Sequence, residues 1–470
     1  MRPTELINMG KSILFGAIVL VTLALIMWTV VYKFILKKSF KKGKLGTIKE
    51  LIPKCLLGIV IVVIVSATLI SVRGRVGYVE RFVLPFVSYK LAWFEFNKVD
   101  WRNIVLNILM FVPFGFILPL AIKKLQEEWK VYLAGFSFSL FIELIQLVTG
   151  RGIFECDDLI NNLLGTMIGY GLYKIFKAVI SKKFSKGILL YQIPLLVAVL
   201  SLSVIFIAYN NKEYGNFVYD NTSKHKMPEI KTGDNVILSS EQSSVNVYKT
   251  KIATPNETRE YAEELLAIQN KKLDEDRIDL YNDEAFYWSD DNPTILLDIS
   301  YIGETVDYTN FDYDFGNKVK YMKNADEGTI REAAKKIGFN IPKQADLDIK
   351  QNDYLFTVKD YIEEDKYYNG TVNCRITEDG IISSLHYMVI EGDLYKSENI
   401  ISSEEAFELF KEGIFYYPYV NSNGFLNEKT ITVNDIRLSY MTDTKGYIRP
   451  IWWIFINNDK YRVVIPAMQK

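Results

Sequence analysis

NIVLNILMFVPFGFILPLAI, residues 103–122, is a stretch of twenty residues without a single charge. Crossing the hydrocarbon of a bilayer takes about 20 predominantly apolar residues, because a helix rises ~1.5 Å per residue and pairs its backbone groups internally. Working outward, the same reading selects residues 12–32, 55–72 and 187–211, and 131–150 interrupted only by Glu143. A shorter run, 159–173, extends if Lys174 and Lys177 snorkel to the interface. The first run is too long for a signal peptide and lacks a small-residue cleavage site, so it reads as an anchor. About six transmembrane helices are therefore expected in an all-α polytopic bundle over residues 1–211.

Charge divides the chain at the same place. Residues 1–211 carry 25 basic and 11 acidic side chains, residues 212–470 carry 30 and 45, and the two halves nearly cancel. Such a division points to two compartments or two partners. The acidic second half argues against nucleic acid, which rewards clustered Lys and Arg. Two histidines (His225, His386) and three cysteines (Cys55, Cys156, Cys374) exclude a disulfide framework and a zinc site of several His or Cys ligands. No cofactor or metal is expected.

Orientation follows from Lys and Arg in the connections. Connections one, three and five hold sixteen, among them Lys37, Lys41, Lys123, Lys130, Lys182 and Lys186; the N-terminus and connections two and four hold nine. The larger number belongs in the cytoplasm. The N-terminus and the acidic C-terminal region are then both extracytoplasmic, provided the fifth run crosses fully.

Three spans carry polar residues where lipid would reject them. Asn103 and Asn107 lie four apart on one helical face, followed by Pro113 and Gly115. Ser139, Glu143 and Gln146 share a face, as do Asp158, Asn162, Gly165 and Gly169, with Arg151 and Asp157 just before. A face-sharing carboxylate, amides and glycines on neighbouring helices imply close packing around an interior polar cluster. Asn103, Asn107, Ser139, Glu143, Gln146, Arg151, Asp157, Asp158 and Asn162 are the candidate ligand-binding residues, facing the outer leaflet in the orientation above. Each has a plain structural alternative. Glu143 as a charge at membrane depth is a functional candidate, or it pairs with Arg151, or it is a protonated carboxyl bonded to Asn107. Asp157 and Asp158 sit where a helix begins and suit exposed N–H groups. Asn107 and Asn162 serve as interhelical hydrogen-bond partners.

The stretch 101–176 resembles the VanZ-like membrane proteins. The resemblance is carried by Asn-Ile-Leu-Met-Phe-Val-Pro-Phe-Gly at 107–115, by Ser139-x-x-x-Glu143-x-x-Gln146, by Arg151, and by Asp157-Asp158-Leu-Ile-Asn-Asn162-Leu-Leu-Gly165-x-x-x-Gly169. With its flanking helices it reaches about residues 13–180. It implies a small integral membrane bundle of the bacterial cell envelope linked to glycopeptide (teicoplanin) resistance. It supplies no reaction.

Past Asn211 long apolar runs stop. Residues 212–250 read as a linker ending in a strand at 235–238, and 251–470 as an extracytoplasmic α+β region with antiparallel sheets. A helix is expected near 258–270 and a strand at 294–301. Thr329-x-x-Glu332 reads as a capping box opening a helix to about Gly338. Strands follow at 354–358, 370–376 and 381–389, then a helix capped by Ser402-x-x-Glu405, then strands at 430–440, 447–456 and 461–465. Helix followed by meandering strands occurs at least twice, a tandem arrangement. The Ser402–Ala406 helix start, Tyr440…Gly446…Pro450-x-Trp452 and the final strand resemble tandem PepSY-like modules of the YycI type, extracytoplasmic regulators of a cell-wall sensor kinase. His386 is expected as a packed core residue. Asp274, Asp276, Asp279, Asp290 and Asp291 are expected as a solvated face.

Three functions are compatible with this. The first is binding or shielding of an envelope amphiphile or glycopeptide through the polar cluster. The second is regulation of a membrane signalling protein by the external region, with the bundle as anchor. The third is an enzyme acting on a lipid-linked substrate, with Glu143 and Asp158 as acid and base and Arg151 as oxyanion or phosphate partner. Membrane lipids are partners in all three. Binding ranks first, regulation second and enzyme last, because two carboxylates and one Arg near the membrane surface permit catalysis without demanding it, histidine and a metal cluster being absent there.

Overall fold

The computed structural model describes residues 48–70, 82–96, 98–150, 153–217, 224–234, 236–281, 283–290, 294–314, 319–350, 352–416 and 422–468. The expected first span, Arg151 and Asp291 lie outside them. The chain divides into two compact units, Met1–Asn211 and Lys212–Lys470.

In the first unit the helices are α1 (Ile48–Val65), α2 (Val87–Glu95), α3 (Lys98–Ala121), α4 (Glu128–Thr149), α5 (Cys156–Ser181) and α6 (Ile193–Asn211). α1 runs on into a π turn, Ser66–Ile70, and α6 is preceded by a 3-10 turn, Lys186–Gln192. Among the described residues, five segments are long and apolar enough to cross a membrane. The fifth expected span, short in sequence, is the 26-residue α5, about 39 Å at 1.5 Å per residue. α6 leaves Leu196, Val204 and Ile207 more than half exposed. A helix apolar on every side and so uncovered suits lipid, not water. This is a membrane protein.

α3 and α5 pack without side chains between them. A Cβ added at Gly165 or Gly169 would lie 2.0 Å from the carbonyl oxygen of Ile108 or Val112, and one at Gly115 2.1 Å from that of Thr166. Only glycine permits that approach, the physical content of the small-xxx-small spacing. Phe111, Phe114, Val131, Ile142 and Tyr170 fill the core beside it. Gly150, at φ +64°, ends α4 with its N–H on Gln146 O.

The second unit is a continuous thirteen-stranded sheet, branched and almost wholly antiparallel. Its strands alternate: in Glu284–Ser289, Ala285, Tyr287 and Ser289 are buried while the residues between are half-buried. One apolar core lies under the helices Pro255–Ile268 and Glu327–Lys336, and a second under Ser403–Lys411. The tandem expected from sequence is therefore two helix-covered cores on one sheet. The strand Ile382–Ile400 joins them, pairing with Val306–Asn310 through its first part and Ser243–Lys249 through its last.

Four readings differ from the structure. The strand expected at 235–238 is Glu229–Thr232, paired parallel to Thr430–Thr442, and 236–238 are irregular. The helix credited to a Thr329 cap begins three residues earlier: Asp326 is the cap, its carboxylate accepting from Thr329 N at 3.0 Å. His386 is not in the core. The strand's alternation turns it outward, half exposed, with Nδ1 2.5 Å from Asp307 Oδ1. Residues 243–249, within the stretch read as linker, form an inner strand with Val247 and Tyr248 buried. Ser402 caps its helix with the expected reciprocal box to Glu405.

Candidate functional site

α3 begins, α4 ends and α5 begins at the same end of the bundle, and a two-residue parallel pairing of Phe82–Val83 with Phe154–Glu155 brings the start of α2 there as well. The polar residues of all four helices meet at this end.

The deepest pair is Ser139 on α4 and Asn162 on α5, both buried, with Asn162 Nδ2 donating to Ser139 Oγ at 2.9 Å. One turn nearer the end, Asn107 Nδ2 donates to Asp158 Oδ1. Glu143, 2% exposed, accepts the Glu155 backbone N–H at 3.1 Å, and Asn107, its other expected partner, goes to Asp158 instead; the expected pair with Arg151 lies outside the described residues. Gln146 Nε2 reaches Thr68 O in the π turn at 3.1 Å. Asp157 is fully buried and does cap a helix, but not its own: Oδ1 accepts Phe86 N at 2.6 Å and Oδ2 accepts Ser88 N at 2.9 Å. Those are unsatisfied first-turn donors of α2. Asn103 is exposed.

Above these contacts opens a cleft of about 490 Å³, lined among others by Asn103, Asn107, Asp158, Glu155, Asn161 and Asp100. Of the sequence candidates, Asn103, Asn107 and Asp158 line it; Ser139, Glu143, Asp157 and Asn162 stand behind the wall and hold it. Ser88, Tyr89, Glu155 and Asn161 were not anticipated. Ser88 Oγ donates to Glu155 Oε2 at 3.0 Å, and the Tyr89 hydroxyl donates to Asn161 Oδ1. Burial first, then the charges of Asp157 and Asp158, push the Tyr89 phenol up to about 12, so it stays a donor. Consecutive Asn161 and Asn162 were the available signal: adjacent helix positions point about 100° apart, so two amides serve two different contacts.

Carboxylates, amides and hydroxyls at the mouth accept and donate hydrogen bonds to a polar head. Two acceptors behind it, Asn162 Oδ1 and Gln146 Oε1, are buried without a hydrogen-bond partner among the described residues. Groups of three His, Cys, Asp or Glu placed to hold a metal ion do not occur among the described residues.

Residues 15–177 match the VanZ/LLP1 family model, which bears out the resemblance seen in sequence. Over 106 residues the chain is 31% identical to Protein VanZ of Enterococcus faecium, a match taking in 22% of this chain and 63% of that protein. The chain thus spans just under two thirds of this curated relative's length. Among solved structures, the C-terminal domain of Bacillus megaterium YpeB is similar at 14% identity, covering 47% of this chain and 100% of that one with a TM-score of 0.20.

Proposed function

We propose, from the VanZ/LLP1 match as premise, that the membrane unit binds the polar head of an envelope amphiphile in the cleft and thereby contributes to glycopeptide (teicoplanin) tolerance. The cleft itself carries this reading: polar side chains from α2, α3, α5 and the π turn after α1 converge on an open space where helices would otherwise present apolar residues to lipid. The two unpartnered buried acceptors behind it favour a ligand or water that donates hydrogen bonds. The Lys and Arg distribution favours a cleft facing outward, with the second unit on the same side.

Asp158 and Asn103 are the contact residues, and Glu143 a positioning residue that holds the Glu155 backbone. In a host lacking its own copy, Asp158→Asn keeps an acceptor for Asn107 but loses the charge; Asn103→Leu blocks the mouth from an exposed position. Both should lower teicoplanin tolerance while the membrane level of protein stays normal. Full tolerance in both would end the cleft reading and leave the bundle as an anchor. Alkaline phosphatase fused after Asn211 should be active and after Lys183 inactive; the reverse would turn the cleft to the cytoplasm.

A further inference from the structure

At the opposite end of the same bundle is a larger cavity, about 780 Å³, between α4, α5 and the 3-10 turn before α6. Its walls hold two opposite charges that do not meet. Lys174 Nζ lies 4.6 Å from the ring centre of Tyr191 and 5.3 Å from that of Tyr170, and no ion pair involving Lys174 occurs among the described residues. Glu128 is reached from the rim of the same ring, the Tyr191 hydroxyl lying 3.4 Å from Glu128 Oε2. Lys174 thus meets the ring and Glu128 its hydroxyl, and Tyr132 adds to the aromatic wall by packing edge-on against Tyr170. Beside the charges the cavity is apolar and opens outward: Leu190 is 66% and Ile193 49% exposed, both in segments suited to lipid. Tyrosine and lysine at this level are the side chains that bridge hydrocarbon and headgroup.

We infer that this cavity is a binding site for a zwitterionic phospholipid with a primary ammonium head, its phosphate toward Lys174, its ammonium toward Glu128 and the Tyr191 hydroxyl, and its acyl chain along Leu190 and Ile193. Charge complementarity selects this occupant. An anionic head would satisfy Lys174 and face Glu128 unpaired; a choline head has no N–H to give to Glu128. The assignment is independent of which leaflet the cavity faces and of the cleft at the other end.

The test is full-length protein in nanodiscs of mixed lipid, with co-purifying lipid identified by native mass spectrometry. Phosphatidylethanolamine should be retained over phosphatidylcholine and phosphatidylglycerol. Glu128→Gln should erase the preference for ethanolamine over choline, and Lys174→Gln should lower retention of each by about fivefold, the worth of one Lys at a headgroup surface. A cation–π role for Lys174 makes a second variant necessary. Gly187 lines the cavity, and a Cβ there meets only Ser185 Oγ at 3.6 Å, so Gly187→Leu fills the space without disturbing either charge. It should abolish retention with thermal stability unchanged. Soluble glycerophosphoethanolamine should compete weakly; full displacement by it would assign the site to a free phosphate ester. Preference for phosphatidylglycerol, or equal retention in wild type and Gly187→Leu, overturns the inference.

Discussion

Asp157 in the membrane unit and Asp443 in the second unit are both shut away, at 0% and 2% exposure. Each clamps backbone. Asp157 binds the N–H groups of Phe86 and Ser88, tying α5 to the start of α2 some seventy residues earlier in sequence. Asp443 binds those of Gly215, Lys445 and Tyr447, fixing the turn that follows its own strand and a segment far upstream. Only Asp443 has a cation among the described residues, Arg449 Nη1 at 3.5 Å. Burial pushes Asp443 up and pulls Arg449 down, and each restrains the other's shift. The difference teaches two uses of a buried carboxylate: one joins two helices through oriented N–H donors, and the other, in the turn between the paired strands Thr430–Thr442 and Tyr447–Ile456, also faces a buried guanidinium.

The largest expected effect breaks the comparison on the second unit's side. Asp443→Ala strands Arg449 as well as three N–H groups and should cost about 3–5 kcal/mol, read from chemical denaturation of the full chain followed by tryptophan fluorescence. Next is Asp157→Ala, with two N–H groups left unpaired and no cation exposed, at about 2 kcal/mol of the membrane unit's resistance to denaturing detergent. Asp157→Asn sharpens it: one acceptor survives, so about half the loss should return. Equal losses in the two variants would mean that the charge, not the acceptor geometry, is what α2 requires. Ser402→Ala removes an ordinary cap at a helix start, and should cost about 1 kcal/mol of second-unit stability. A cap and a clamp of equal cost would erase the distinction between local and long-range use of the same hydrogen bond.

A further effect is pH-dependent. Glu284, Asp298 and Asp307 lie on adjacent strands, Asp298 directly opposite Asp307, and His386 opposite Asp307 on the next strand. Burial first, then Glu284 and Asp307, push Asp298 from its ordinary 3.8 up to about 7. Between those values the folded unit binds a proton that the unfolded chain has released, so stability falls as pH rises through the window. Thermal melts of Asp298→Asn from pH 4 to 7 should show a flatter slope than wild type. An identical slope would place the dependence elsewhere.

Legibility followed locality. The spans were readable because apolar length is a property of consecutive residues, and the glycine spacing at 165 and 169 because a helix face repeats every turn. The helix cap at Ser402 was readable for the same reason. Asp326 was passed over because the Thr329 pattern competed with it three residues on. The inner strand Ser243–Lys249 was hidden in a polar, poorly periodic stretch whose burial comes from two neighbours distant in sequence, Ile382–Ile400 and Tyr447–Ile456.

By itself the sequence determined that the apolar spans gather in one part of this protein and the charged, strand-rich region in the other, and which polar residues the lipid part cannot leave facing outward. Solvent sorts residues by type, and type is written in the chain. Which of those residues meet was decided only by tertiary structure. Asp157 serves α2 rather than its own helix, Asn107 turns to Asp158 rather than Glu143, and Glu143 takes a backbone N–H. A hydrogen bond is satisfied by any donor within reach, and reach depends on how two pairs of helix ends, about fifty residues apart in sequence, are brought to one place.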